Sequence, residues 1–145
     1  MNPALPQGYS ITTDKSLLDI NVIHCYLSKE SYWAKNIPME VVQKSIDNAV
    51  CFGVYFQSHQ VGFARVVTDK STFAYLADVF ILYPHRNKGL SKCLMEVLMA
   101  HEDLQGLRRW MLATRDAHSL YAQYGWQPLS NPDRLMQIVN QDIYH

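Results

Sequence analysis

The segment Arg86-Asn87-Lys88-Gly89-Leu90-Ser91 carries the clearest chemical signal in the chain. It opens a run in which Leu90, Leu94, Val97 and Leu98 recur at i, i+4, i+7 and i+8, the spacing of an amphipathic helix. A helix start presents unpaired amide N–H groups and the positive end of the helix dipole, which together suit a pyrophosphate. Gly89 lets the backbone approach such a ligand, while Arg86 and Lys88 add positive charge. The same six residues also fit an ordinary strand-to-helix turn closed by glycine. Two other phosphate loops are absent from the sequence. A Walker loop requires a Gly-Lys pair, and the chain has none; the G-x-G-x-x-G of a dinucleotide loop is missing as well. What remains is Arg-x-x-Gly-x-small after a long strand.

The chain that must position this loop has 145 residues, 48% of them hydrophobic and 18% charged, with thirteen basic side chains balancing thirteen acidic ones. Such a length suits a single domain over residues 1–145, burying roughly 70% of the surface of its unfolded chain. Zero net charge argues against a nucleic-acid partner, which would call for an excess of Lys and Arg. Apolar runs are too short to span a bilayer, so a soluble protein with no membrane partner is expected. The N-terminal Met1-Asn2-Pro3-Ala4-Leu5-Pro6 lacks the basic start and apolar core of a secretory signal. Cys25, Cys51 and Cys93 form no C-x-x-C pair, which fits a reducing cytoplasm. Cys93 falls in the apolar helical pattern and reads as an inert core thiol.

Hydrophobic periodicity supplies the elements. Tyr9-Ser10-Ile11-Thr12 reads as a strand. Asp14 or Ser16 can cap a helix running to about Leu27 with Leu18, Val22 and Cys25 on one face. Pro38 and Glu40 fit the first turn of a second helix carrying Val42, Ile46 and Ala49. Between the two lies a loop with Tyr32 and Trp33. Residues 50–56, 61–68 and 73–82 are β-branched and aromatic, with short polar breaks that suit antiparallel hairpins. The last of these is the most apolar stretch of the chain, and its one charge, Asp78, is out of place there. After the loop come a helix to about Glu102, a strand at 110–114 and a short helix at 117–124 stopped by Gly125. Trp126-Gln127-Pro128 and residues 136–140 read as a closing pair of strands, which could also pair across a homodimer. The result is an α/β (α+β) mixed sheet, mainly antiparallel, of six to seven strands with about four helices on its faces.

With these elements in order, the sequence resembles the GNAT superfamily of acyl-CoA-dependent N-acetyltransferases. Their phosphate loop, Q/R-x-x-G-x-G/A, is matched by Arg86, Gly89 and, with a hydroxyl added, Ser91. Leu120-Tyr121-Ala122-Gln123-Tyr124-Gly125-Trp126 is similar to the family's helix-to-strand segment L-Y-x-x-x-G-F. The likeness in element order covers essentially the whole chain.

The resemblance implies acetyl-CoA as acyl donor, no metal, and a primary amine, small molecule or peptide, as acceptor. It implies fourth and fifth strands that splay to admit the pantetheine arm, with Val79, Phe80 and Ile81 offering backbone groups to it. Asn87, Lys88, Leu90 and Lys92 would complete the phosphate cradle around Arg86, Gly89 and Ser91. Tyr121 occupies the position at which many family members carry a tyrosine that protonates the departing thiolate. Asp78 lies near the family's usual carboxylate base, although a buried carboxylate could equally pair with Arg65 or Arg115. Asp116 and His118 stand where the family often has an Asn that meets the pantetheine or substrate; Asp116 could instead cap the following helix. Tyr32 and Trp33 fall on the acceptor-side wall, where an aromatic pair can hold an apolar group or a cation, or plug the core. A catalytically silent protein that keeps the loop, as a CoA-binding sensor or as an interaction module that inhibits a partner, is the alternative to an enzyme.

Overall fold

The structure is a computed structural model that describes residues 4–144. Five strands form one sheet in the order β1-β2-β3-β4-β5: β1 Tyr9–Thr12, β2 Val50–Phe56, β3 His59–Thr68, β4 Phe73–Ile81 and β5 Arg109–Leu112. The first four are antiparallel neighbours and β5 runs parallel to β4. Four α-helices accompany them: α1 Ile20–Cys25, α2 Met39–Asp47, α3 Leu90–Ala100 and α4 His118–Ala122.

Alternation along the strands sorts the core onto two faces. Phe52, Val54, Ala64 and Val66 pack with Leu90, Leu94, Met95 and Leu98 of α3. Cys51 and Phe63, of opposite parity, pack with Ile23 of α1, Val42 and Ile46 of α2, and Leu27; Phe80 joins them because a register shift in β4 moves it off the face that Leu76 occupies. The sheet is therefore covered by α3 and α4 on one side and by α1 and α2 on the other. Burial pushes the Cys51 and Cys93 thiols up, as suits core positions. No helix among the described residues is long and apolar enough to cross a membrane.

Two expectations are corrected. The closing strands do not form, so the sheet has five strands rather than six or seven. Pro128 removes an amide donor, and Pro132–Arg134 forms a 3-10 turn that interrupts the segment; the three-residue run at 126–128 is too short to pair. Met136 and Ile138, whose alternation suggested a strand, are fully exposed. The first helix is also shorter than its periodicity suggests. Asp14 caps only a 3-10 turn, Lys15–Leu17, and Asp19 starts α1 by accepting from the Asn21 and Val22 amides. The helix then widens into a π turn, Tyr26–Glu30, so Ile23 and Leu27 face the core and Cys25 is exposed.

Among the described residues two buried side-chain polar atoms lack a hydrogen bond, the Trp126 indole N–H and the Tyr55 hydroxyl. The Tyr55 hydroxyl is buried without a hydrogen bond, and burial, helped by the Asp14 charge, pushes it up to about 12. An unfolded tyrosine titrates near 10, so the folded chain keeps a proton that the unfolded chain loses; stability is intact below about pH 10 and falls as pH rises toward 12. Tyr55→Phe removes the orphaned hydroxyl and is expected to raise stability by about 1 kcal/mol at neutral pH and to reduce the alkaline loss. Urea midpoints of both proteins at neutral and alkaline pH check this.

Candidate active site

β4 contains one residue too many for its partner. Between the pairs Phe63↔Phe80 and Arg65↔Ala77, β3 advances two residues while β4 advances three. The surplus sits at Asp78, whose φ of 55° lies in the left-handed region that Asp tolerates better than most residues. Such a bulge bends its strand. The parallel pairing of β4 with β5 ends at Leu76↔Leu112, one residue before the irregularity, and residues 77–81 have no partner on that side. The fourth and fifth strands thus part to leave a cavity of about 720 Å³, lined by Tyr32, Trp33, Arg65, Tyr75, Asp78, Arg115, Asp116 and Tyr121 among others.

Asp78 is held from two directions. Arg65 Nε donates to Oδ2 at 2.8 Å in an ion pair whose side chains are 19% and 8% exposed, and Trp33 Nε1 donates to Oδ1 at 2.9 Å. Of the two partners open at the sequence level, Arg65 is the one used. Arg115 instead sits over Tyr32, its guanidinium carbon 3.8 Å from the ring centroid, and its backbone N–H donates to Tyr32 Oη at 3.2 Å. Tyr32 and Trp33 meet edge to face, forming one wall rather than a plug in the core.

Tyr121 comes from α4, a helix of only five residues that tertiary contacts keep in place. Its ring is buried and tilted against Trp126, whose backbone N–H donates to the Tyr121 carbonyl. Its hydroxyl makes no hydrogen bond among the described residues, and it borders the cavity. Burial, then the nearby Tyr32 and Asp116, raise its pKa, so it stays protonated. Asp116 also lines this cavity and has neither an ion pair nor a hydrogen bond among the described residues; the N-cap of α4 is Ala117, whose amide is taken by Thr114 Oγ1. The capping role considered for Asp116 is therefore not the one it plays. His118 parts from it, lining a second cavity of about 580 Å³ beyond β5 with Trp126 and Pro128.

Downstream of β4, a 3-10 turn, Tyr83–His85, leads into the loop, where Asn87 and Gly89 both have positive φ. Gly89, at φ 77°, is the N-cap of α3, and the first bond of that helix runs from the Cys93 N–H to the Gly89 carbonyl. The amides ahead of it are left to a ligand or solvent. A methyl group built on Gly89 would meet nothing within 4 Å, so open space lies above the loop. Lys88 and Lys92 are exposed, Ser91 is half-buried, and the Leu90 side chain is core. Arg86 departs from the expected picture: its Nε donates to the Ile81 carbonyl at 2.8 Å and its Nη2 to Tyr26 Oη at 3.1 Å, which makes it a strut between the end of β4 and the π turn. Tyr26, stacked on Phe80 at 4.1 Å, and Tyr75 went unnoticed in the sequence. Sixty residues separate Tyr26 from Arg86, so no local signal links them; Tyr75 could have been found from its parity with Ala77.

The pieces fit a long thioester with a pyrophosphate at one end: free amides and space at Gly89, then an unpaired strand edge, then a cavity holding a protonated phenol. The loop amides and Lys88 and Lys92 would hold the phosphates, and residues 77–81 the arm. Among the described residues no group of three His, Cys, Asp or Glu side chains converges as for a metal.

Comparison with known proteins agrees. A Gibberella zeae protein described as a candidate acetyltransferase is 32% identical over 137 residues, covering 79% of this chain and 76% of its own. A solved Xanthomonas campestris pv. campestris protein, described as a candidate acetyltransferase of the GNAT family, is 52% identical with a TM-score of 0.93, covering 97% of this chain and 99% of its own. A GNAT family acetyltransferase from Elizabethkingia anophelis, solved with acetyl-CoA bound, shares the fold at a TM-score of 0.64 and 10% identity, over 94% of this chain and 91% of its own. The family model for the acetyltransferase (GNAT) domain matches residues 47–128, from the end of α2 through the bulged β4, the Gly89 loop and Tyr121, and the chain therefore belongs to the GNAT family of acetyltransferases.

Proposed function

We propose that this protein transfers the acetyl group of acetyl-CoA to the nitrogen of a primary amine by direct attack. The observation that carries this reading is Tyr121 itself, which lines the cavity where β4 and β5 separate and whose hydroxyl makes no hydrogen bond among the described residues. Acetyl-CoA supplies the activated carbonyl; the amine forms the new C–N bond as the C–S bond breaks. Tyr121 gives its proton to the departing sulfur and regains one from solvent. Proton removal from the amine falls to Asp116 and water rather than to Asp78. Both oxygens of Asp78 are engaged by Arg65 and Trp33, whereas Asp116 is the cavity carboxylate that remains free. Asp78 acts by holding the bulge and aiming Arg65.

Two experiments test the reading. Tyr121→Phe is expected to lower acetyl-CoA-dependent thiol release by about 10²-fold or more while leaving the thermal shift produced by CoA unchanged. Equal loss of both would make Tyr121 a packing residue. Because its pKa is raised, the alkaline fall of kcat is expected above the ordinary phenol value of about 10. For the cofactor end, Gly89→Ala and Gly106→Ala form a matched pair, since both glycines have positive φ and open space around the missing Cβ. Each should cost about 1 kcal/mol of stability through backbone strain. Only Gly89→Ala should diminish the CoA-dependent rise in melting temperature, which for the parent at a hundredfold excess over Kd corresponds to about 2.7 kcal/mol.

A further inference from the structure

We infer that the acceptor is an amine that also carries a carboxylate, read by Arg115 and Arg65. This rests on the cavity being the acceptor side of the acetyl-transfer site proposed above. Four charged side chains line that cavity: Arg65, Asp78, Arg115 and Asp116. Arg65 and Asp78 cancel each other in their ion pair. Arg115 and Asp116 do not, because neither belongs to any ion pair among the described residues, although they are consecutive in the chain. One cavity therefore presents a separated positive and negative group, the complement of a zwitterion.

The guanidinium groups are also prepared for a planar anion. An arginine has five N–H donors; Arg65 spends one of them on Asp78, and no other acceptor engages it among the described residues. The Arg115 guanidinium sits over the Tyr32 ring, and its side-chain N–H donors make no hydrogen bond among the described residues, which leaves them for a two-pronged contact with a carboxylate. Asp116 lies near Tyr121, so an ammonium drawn to Asp116 arrives beside the hydroxyl that serves the thioester sulfur. Trp33, Tyr75 and Leu76 supply apolar wall for the rest of the molecule. The volume of about 720 Å³ lies within the range of small-ligand pockets and must also admit the acetyl end of the donor, which favours a compact amino carboxylate.

Matched amines with and without the anion test this: phenylalanine against phenethylamine, alanine against ethylamine, and phosphoethanolamine against ethanolamine, each assayed by thiol release from acetyl-CoA. The expected result is a kcat/KM about 10- to 100-fold higher for the carboxylate member of the first two pairs, expressed in KM, with the preference collapsing in Arg115→Gln. Equal or better use of the amines lacking a carboxylate overturns the inference while leaving acetyl transfer to amines intact. A larger preference in the phosphate pair overturns the choice of carboxylate. If no amine releases thiol, the acetyl-transfer reading fails, and thermal shift in the presence of CoA decides the binding question separately. Stabilisation of the parent by phenylalanine but not phenethylamine, lost in Arg115→Gln, supports the site; no shift with phenylalanine overturns it.

Discussion

The ion pair between Arg65 and Asp78 is the interaction on which the site depends. A surplus residue in β4 at positive φ is costly in itself, on the order of 1 kcal/mol, and a strand would shed it by slipping register. Slippage is blocked because the side chain of that residue is tied to β3 through Arg65 and to the loop after the π turn through Trp33. The bulge therefore persists, β4 bends, and the parallel contact with β5 ends at Leu76. The unpaired edge of residues 77–81 and the cavity beside it are both consequences of that bend. A carboxylate that looks misplaced in an apolar strand is thus the device that opens the sheet.

This also explains which features could be read in the sequence. The α3 face, the loop ending at Gly89 and the oddity of Asp78 are local, written as spacing or as one wrong residue type, and each stands where its signal pointed. Periodicity also located all five strands. It failed where an apolar pattern has nothing to pack against, as at Met136 and Ile138, whose alternation is real but whose side chains face solvent. The use of Arg86 as a strut was illegible for a different reason. Its partner Tyr26 belongs to a π turn, and the widened turn places that ring under Phe80 and the loop in a way that helical spacing does not forecast.

The balance of thirteen charges against thirteen conceals two local arrangements. At the loop, one of the three nearby cations is spent on holding the end of β4, so the phosphate binding proposed there would lean on the amides of the α3 start more than on side-chain charge. In the cavity, the Arg65–Asp78 pair is neutral as a unit, and the polarity that a ligand meets comes from Arg115 and Asp116. Neither arrangement shifts the net charge, and both are small enough to suit one ligand each.

Tyr121 joins these parts because one cause sets both its position and its chemistry. A helix as short as α4 has little stability of its own, so the location of the phenol is fixed by the packing of its ring on Trp126 and by the backbone bond that Trp126 returns to it. The same burial raises its pKa, which on its own would make it a poorer acid than a tyrosine in water. In the proposed reaction, however, the departing sulfur leaves within the same cleft, where loss of solvent disfavours the thiolate in equal kind and raises its demand for a proton. Donor and acceptor of the proton move together, so the match between them survives the burial that positions them. For the proposed role an exposed tyrosine at this place would be the stronger acid but the less well positioned one, since no packing would hold its ring beside the cavity.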